Sequence, residues 1–206
     1  ARNLYLAQST GARLHMCHVS TKEALADILA AKARGVRVTC EVTPHHLWFT
    51  NDTCDYRVNP PIRTADDVQA LIDAIRSGVV DAIATDHAPH SAEEKARPLT
   101  EAPSGMVGLE TLLAASLTRL YHTGKAELPA IIRKMTANPA DILHVNKGRM
   151  SVGTDADLVI FDLDQEWVVD PAQFASKGRS TPFAGKTMRG RVRYTIAGGQ
   201  IVYQEG

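Results

Sequence analysis

Short apolar runs alternate with amphipathic segments through the first part of the chain. Strands are predicted at Arg13–Val19 and Val36–Val42, and between them Leu25, Ile28 and Leu29 recur at helical spacing. A strand, a helix and a second strand in this order form the repeating unit of parallel α/β sheets. The pattern therefore predicts a parallel sheet whose connections are helices.

A third strand is predicted at Asp81–Asp86, where an apolar run ends in a carboxylate. His87 and His90 follow directly, and a polar stretch then extends from Ser91 to Gly108. Loops of this length without structure of their own are usually functional. We therefore expect chemistry where this strand ends.

Beyond about Gly148 the pattern changes to β-type runs without helical crossovers. Strands are predicted within Val152–Phe161, at Trp167–Val169, at Gly190–Ile196 and at Gln200–Tyr203, with a hairpin turn at Ala197-Gly198-Gly199. Residues 1–147 should accordingly form the α/β part and residues 148–206 a separate small sheet.

Composition narrows the class of protein. Lys plus Arg and Asp plus Glu both number 23 in 206 residues, so nothing favours a nucleic-acid partner or an anionic membrane surface. No apolar run reaches the ~18 residues of a membrane span. The three cysteines, Cys17, Cys40 and Cys54, are irregularly spaced, which argues against a disulfide framework and favours a reducing cytoplasm.

Three consecutive predicted strands end in groups suited to a metal or to acid–base chemistry. These groups are His18, the pair His45 and His46, and Asp86. The ends of parallel neighbouring strands share one edge, and imidazole with carboxylate suits zinc. A zinc-bound water ionises near pH ~7, and a carboxylate beside it can carry the released proton.

Each of these groups also has a simpler interpretation. His18 alone is more often a core or capping histidine, and the turn after Pro44 favours solvated imidazoles at His45 and His46. His15 should have a packing role. Asp86 is harder to explain in this way, because a carboxylate that closes an apolar strand is costly unless it is paired.

Five segments carry a resemblance to a known family. They are Cys17–Lys22, Val42–Leu47, Asn59–Arg63, Thr85–His90 and Gly105–Glu110. In this order they resemble segments of the dihydroorotases of the amidohydrolase superfamily, and the tail from Pro182 to Gly199 resembles the closing β segment of that family. The resemblance covers nearly the whole chain.

The resemblance implies an α/β fold with the C-terminal part of a (β/α)8 TIM-type barrel, strands six to eight, plus part of a small β-sandwich. It also implies a site with two zinc ions. Asp86 would bind one metal and act as general base and then general acid, and His18 would bind the second metal. In some relatives the pair equivalent to His45 and His46 approaches an additional metal.

The resemblance further implies which residues bind the substrate. Asn59 and His90 would contact it, as would the backbone around Ser104 and Gly105. Many relatives carry an aromatic residue where this chain has Ser104, which leaves a backbone role there but puts a side-chain role in doubt.

The reaction implied is the reversible hydrolysis of L-dihydroorotate to N-carbamoyl-L-aspartate in pyrimidine synthesis. The family's His-x-His pair, its bridging lysine or aspartate and one further histidine are not found in these residues. We expect preceding residues or a second chain to supply them, and these 206 residues alone to be inactive.

Two alternatives stay open from the sequence. One is a related cyclic amidohydrolase of the allantoinase or hydantoinase type. The other is an inactive dihydroorotase-like scaffold for aspartate transcarbamoylase, although such relatives typically lose metal ligands and His18, Asp86 and His90 are present here. The sequence leaves open whether the partner is a second copy, as in a homodimer, or aspartate transcarbamoylase.

Overall fold

Two sheets organise the protein in the computed structural model, which describes residues 1–206. The first is parallel, in the order β1-β2-β3, and the second is antiparallel, in the order β4-β5-β6. The strands are β1 (Leu14–Met16), β2 (Val38–Val42), β3 (Ala82–Ile83), β4 (Leu158–Val168), β5 (Thr187–Ala197) and β6 (Gln200–Gln204). The predicted combination of a parallel and an antiparallel sheet is confirmed.

The helices lie mainly between and after the parallel strands. They are α1 (Arg2–Thr10), α2 (Lys22–Ala33), α3 (Pro44–Trp48), α4 (Ala65–Arg76), α5 (Ala92–Lys95), α6 (Leu112–Ser116), α7 (Leu128–Met135) and α8 (Ala137–Leu143). A 3-10 turn at Leu109–Thr111 precedes α6 and a π-helical turn at Leu117–Tyr121 follows it. None of these helices combines the length and the apolar character needed to cross a bilayer.

The parallel sheet has one apolar face and one polar face. In β2, Val38, Cys40 and Val42 are buried, whereas Thr39 and Glu41 between them are half-buried. Side chains of a strand alternate between faces, so the buried set packs on α2 and α4 while the polar set points the other way. The polar face carries Thr39 and Glu41, and the strand ends at which we predicted chemistry lie at the edge of this sheet.

A second core joins the loops that follow β2 and β3 to the antiparallel sheet. Phe49 and Met106 from these loops pack with Phe183 and Met188 from the last third of the chain. Trp48 meets the ring of Phe183 edge-on, with 5.5 Å between ring centroids. Packing of this kind gives the loops near the strand ends a rigid support.

Two details of the predicted elements are wrong. The run at Trp167–Val169 is not a separate strand, because β4 continues through a bulge from Leu158 to Val168. The polar stretch from Ser91 contains α5, whose first turn is closed by a capping box between Ser91 and Glu94.

Candidate active site

His18 and Asp86 follow the ends of β1 and β3, and both have left-handed backbones. Their φ angles are 39° and 49°. Because β2 lies between β1 and β3, the two strand axes are separated by about 10 Å, twice the usual strand spacing. A positive φ is uncommon outside glycine and costs roughly 1–3 kcal/mol, so it persists only where surrounding contacts hold it.

The side chain of His18 is suited to binding a metal. Its Nδ1 atom is buried and has no hydrogen-bond partner. A buried imidazole nitrogen without a partner is costly, and a metal ion would satisfy it. The residues at this edge therefore fit a metal centre of the zinc type, with Asp86 as a carboxylate of the same donor class.

Glu41 links β2 to the His18 turn and to β1 by one hydrogen bond each. Its Oε1 accepts from the backbone N–H of His18 at 3.4 Å, and its Oε2 accepts from Nε2 of His15 at 3.1 Å. The Nδ1 atom of His15 lies 2.8 Å from Oγ1 of Thr39, the residue opposite it in the β1–β2 register. The predicted packing role of His15 is thus wrong, because its ring belongs to a polar network.

Ligand atoms of His15, Cys17 and Glu41 also lie within 4.8 Å of one another. The pKa of the Cys17 thiol is raised by burial and then by the negative charges of Glu41 and Asp86. The negative charge of Asp86 thus adds, after burial and Glu41, to the rise in the pKa of this thiol.

His45 and His46 are buried, with 1% and 2% of their surfaces exposed, so the prediction of solvated imidazoles is wrong. Nδ1 of His46 lies 2.7 Å from Oγ1 of Thr43, and its Nε2 lies 2.9 Å from the carbonyl oxygen of Pro60. Since a carbonyl only accepts, Nε2 carries the proton and the Thr43 hydroxyl donates to Nδ1.

Burial keeps both imidazoles neutral. It lowers the pKa of His46 from 6.5 to about 4, and it lowers the pKa of His45 well below the ordinary value, with His46 and His18 adding to that effect. Nε2 of His45 is buried without a partner. Neither ring is a proton carrier near neutral pH, and His46 instead holds the segment that contains Asn59.

The structure brings together His90, Ser104 and Gly105, three of the residues that the resemblance assigns to substrate binding. Nε2 of His90 lies 3.0 Å from the carbonyl oxygen of Ser104. Two residues earlier, Ala88 donates its N–H to the carbonyl of Met106 at 2.9 Å. A Cβ on Gly105 would lie 2.5 Å from the carbonyl oxygen of Ala88, so only glycine permits this approach.

Asn59 is exposed and joins the same group of loops through Arg57. The carbonyl of Arg57 accepts from the N–H of Gly105 at 3.1 Å and from Nζ of Lys95 at 3.1 Å. Nζ of Lys95 also donates to the carbonyl of Pro103 at 3.0 Å. The segments around residues 57–60, 86–90 and 104–108 therefore form one connected surface beside the strand ends.

Sequence reasoning missed Glu41, His15 and Lys95. A signal existed for Glu41, because Thr39 and Glu41 alternate with apolar residues along β2 and so define a polar face. Nothing local pointed to Lys95, because one of its two carbonyl partners, Arg57, lies 38 residues away along the chain.

Comparison with known proteins matches residues 3–202 to the amidohydrolase family. The chain is 50% identical over 204 residues to a dihydroorotase from Clostridium botulinum, covering 99% of this chain and 50% of that protein. It is 46% identical over 209 residues to a dihydroorotase from Geobacter metallireducens, covering 99% and 49%. The chain thus spans about half the length of the curated relatives it matches.

Solved structures give the same picture. An L-hydantoinase from Arthrobacter aurescens superposes with a TM-score of 0.95 at 33% identity, covering 100% of this chain and 48% of the hydantoinase. An inactive dihydroorotase-like domain of a multifunctional protein from Chaetomium thermophilum gives 0.73 at 25% identity, covering 97% and 53%. The arrangement of the two sheets is therefore one that this group of proteins shares.

Proposed function

Because the chain belongs to the amidohydrolase family, we propose that it supplies the proton-transfer and substrate-binding half of a dihydroorotase. The reaction is the reversible hydrolysis of L-dihydroorotate to N-carbamoyl-L-aspartate. The observation that carries this substrate is the 50% identity to the dihydroorotase of Clostridium botulinum across 99% of the chain. In this proposal the site needs metal ligands beyond His18 and Asp86, which we expect preceding residues or a second chain to supply.

In this proposal the parallel sheet forms strands six to eight of a (β/α)8 barrel. Residues 1–147 belong to the barrel, and residues 148–206 form the second half of a small β-sandwich. In barrels of this kind, catalytic groups lie at the carboxyl ends of the strands. His18 and Asp86 follow the ends of β1 and β3, and this position supports their assignment to a catalytic centre.

His18 and Asp86 would hold two zinc ions together with those further ligands. Bound zinc would polarise the carbonyl of the substrate and lower the pKa of water to about 7. The buried and unpartnered Nδ1 of His18 supports this assignment.

Asp86 is the proposed proton carrier. In ring opening, a bond forms between the oxygen of water and the ring amide carbon, and the bond from this carbon to the ring nitrogen breaks. Asp86 accepts one proton of the water and delivers it to the ring nitrogen, while the second proton is released to solvent when the new carboxyl group ionises. The backbone of Asp86 has a φ of 49°, and the loop after it is hydrogen-bonded to the segment around Met106, which supports a fixed position for this residue.

Asn59, His90 and the backbone at Ser104 and Gly105 are proposed to bind the carboxylate and the amide edge of the substrate. The contact between His90 and Ser104 supports this proposal, because it holds the segments around residues 86–90 and 104–108 side by side. A hydrogen-bonding surface preorganised in this way loses little entropy when the substrate binds.

A hydantoinase-type activity is the second candidate. The TM-score of 0.95 to the L-hydantoinase from Arthrobacter aurescens is the observation that favours it. Both reactions open a cyclic amide, and they differ in the carboxylate that dihydroorotate carries and hydantoin lacks. The inactive domain from Chaetomium thermophilum raises a third outcome, a scaffold without turnover.

The test uses the complete protein loaded with zinc and compares dihydroorotate, allantoin and hydantoin side by side. We expect dihydroorotate to be preferred by at least about 100-fold in kcat/KM, and Asp86→Asn to lower kcat by about 1,000-fold. Asp170→Asn, which changes a capping carboxylate beside the antiparallel sheet, should leave turnover unchanged. Preference for hydantoin, or no turnover of any of the three, would contradict the proposal.

A further inference from the structure

The side chain of Glu41 lies on the polar face of the parallel sheet, close to the His18 turn. Glu41 is paired with Ala82 across the β2–β3 register, and the small alanine leaves room for the longer side chain. The carboxylate is largely enclosed, with 16% of the side chain exposed. A carboxylate in this position is costly unless hydrogen bonds satisfy it.

Glu41 holds the residues after β1 through both its side chain and its backbone. Its carboxylate accepts from the N–H of His18 at 3.4 Å, and its carbonyl accepts from the N–H of Val19 at 2.9 Å. These are consecutive N–H groups on either side of a backbone with φ 39°. A strained φ of this kind requires neighbours that hold it, and Glu41 supplies two of the contacts.

His15 and Thr39 fix the direction of the carboxylate. The Thr39 hydroxyl donates to Nδ1 of His15, and Nε2 of His15 donates to Oε2 of Glu41, at 2.8 Å and 3.1 Å. This order follows because ionised Glu41 only accepts, which places the proton of His15 on Nε2. Both ring nitrogens of His15 are therefore hydrogen-bonded within the protein.

We propose that Glu41 is a positioning residue, which sets the direction of the His18 imidazole by holding the turn that carries it. The inference rests on the proposed function, because it assigns His18 to a metal. Removing a group that hydrogen-bonds to a metal ligand and orients it typically weakens metal binding by about 10–100-fold. In this role the Glu41 side chain must be long enough to accept from both the N–H of His18 and Nε2 of His15.

A metal bound by His15, Cys17 and Glu41 themselves is the competing explanation, since their ligand atoms lie within 4.8 Å of one another. The hydrogen bonds of His15 make it the weaker one, because a metal on Nε2 would have to displace Glu41 from that nitrogen. Cys17→Ser separates the two, as the thiol has no part in the positioning network.

The experiment measures zinc affinity by competition with a chromophoric chelator, in the complete protein with all barrel strands present. The variants are Glu41→Ala, Glu41→Gln and Glu41→Asp, with Cys17→Ser and Asp162→Ala as controls. Asp162 is a matched carboxylate that accepts from the N–H groups of Asp164 and Gln165 in the antiparallel sheet. Thermal melting identifies any variant that fails to fold.

We expect Glu41→Ala and Glu41→Asp to weaken zinc binding by about 10–100-fold. Glu41→Gln should stay within about threefold, because the amide oxygen accepts from His18 and the amide N–H donates to His15 once that ring changes tautomer. Both controls should bind zinc as the wild type does. A spectrum of the cobalt-substituted protein should shift in the alanine and aspartate variants only.

Unchanged zinc affinity in folded Glu41→Ala and Glu41→Asp would overturn the inference. Zinc affinity that is kept in Glu41→Asp but lost in Glu41→Gln would also overturn the inference, because the charge of the side chain rather than its length would then matter. A loss of zinc in Cys17→Ser would point to the competing site and overturn it as well. If wild-type protein binds zinc with this order of affinities but does not turn over dihydroorotate, the proposed function fails and the positioning role stands.

Discussion

Nε2 of His46 lies 2.9 Å from the carbonyl oxygen of Pro60, a contact that joins the end of β2 to the segment carrying Asn59. The other ring nitrogen is held by Thr43, which caps the first turn of α3. The imidazole therefore fixes the loop at Pro60, fourteen residues further along the chain, against the end of the parallel sheet.

His46→Ala should lower the free energy of unfolding by about 2–4 kcal/mol, because it leaves the Pro60 carbonyl and the Thr43 hydroxyl unpaired and creates a cavity. In the complete protein it should also raise KM more than it lowers kcat, because the proposed substrate-binding segment around Asn59 loosens. Urea unfolding and steady-state kinetics measure the two effects.

The control is His122→Ala. Nε2 of His122 lies 3.0 Å from the carbonyl of Leu163, so the same kind of contact is removed away from the strand ends. We expect a smaller loss of stability and no change in KM. A change in KM equal to that of His46→Ala would contradict the assignment.

The stability of the protein should fall as the pH drops from about 6.5 to about 4. Burial lowers the pKa of His46 from 6.5 to about 4, so in this range the unfolded chain binds a proton that the folded chain does not. The stabilisation that neutral His46 provides is complete above pH 6.5 and is lost progressively as the pH falls to about 4. A difference of this size corresponds to about 3 kcal/mol.

Urea midpoints measured from pH 4 to 7.5 test this dependence, with His46→Gln as the comparison. Glutamine does not titrate, so the pH dependence of the variant should be shallower by about the same 3 kcal/mol. The lowered pKa of His45 acts in the same direction and remains in both proteins. Identical pH profiles would show that His46 is not responsible.

Gly105→Ala should damage the loops that are proposed to bind the substrate. Its φ is 139°, and a Cβ would lie 2.5 Å from the Ala88 carbonyl oxygen and 2.7 Å from the Ala88 Cβ. The segment around residues 86–90 must move away, and we expect KM for dihydroorotate to rise by at least about tenfold, or about 1.4 kcal/mol.

Gly124→Ala is the matched control for this substitution. Gly124 also has a positive φ, 67°, but no atom lies within 4 Å of the added Cβ. It should cost about 1–2 kcal/mol of stability through backbone strain and leave KM unchanged. Equal kinetic effects in the two variants would mean that strain alone, rather than the contact with Ala88, explains the result.

Lys95→Met should separate two loops that the ammonium group holds together. Nζ of Lys95 donates to the carbonyls of Arg57 and Pro103 at 3.1 Å and 3.0 Å. Methionine keeps the length of the side chain but offers no donor. We expect amide hydrogen exchange to become about tenfold faster or more across residues 99–105, which corresponds to at least about 1.4 kcal/mol of lost local stability.

Lys147→Met is the control, because Lys147 pairs only with the exposed carboxylates of Asp155 and Asp157. Surface pairs of this kind contribute little to stability. Exchange in residues 99–105 should be unaffected, and equal acceleration in both variants would contradict the role of Lys95.

The parallel strands could be predicted because their apolar residues form short runs between helices of a different period. The same reasoning failed where burial depends on distant residues. Leu29 shares the helical spacing of Leu25 and Ile28 but is 53% exposed. His45 and His46 were expected in solvent and are covered, because α3 packs against α4 and the loop at Pro60 returns over them.

The sequence by itself determined the two kinds of sheet and the chemical types at the strand ends, because these follow from local periodicity and residue identity. Only the tertiary structure decided that His46 bonds to Pro60, that Glu41 holds the His18 turn, and that Gly105 lies against Ala88. Each of these contacts joins segments that are distant along the chain. Their geometry depends on how sheets and loops pack, a relationship that no short stretch of sequence contains.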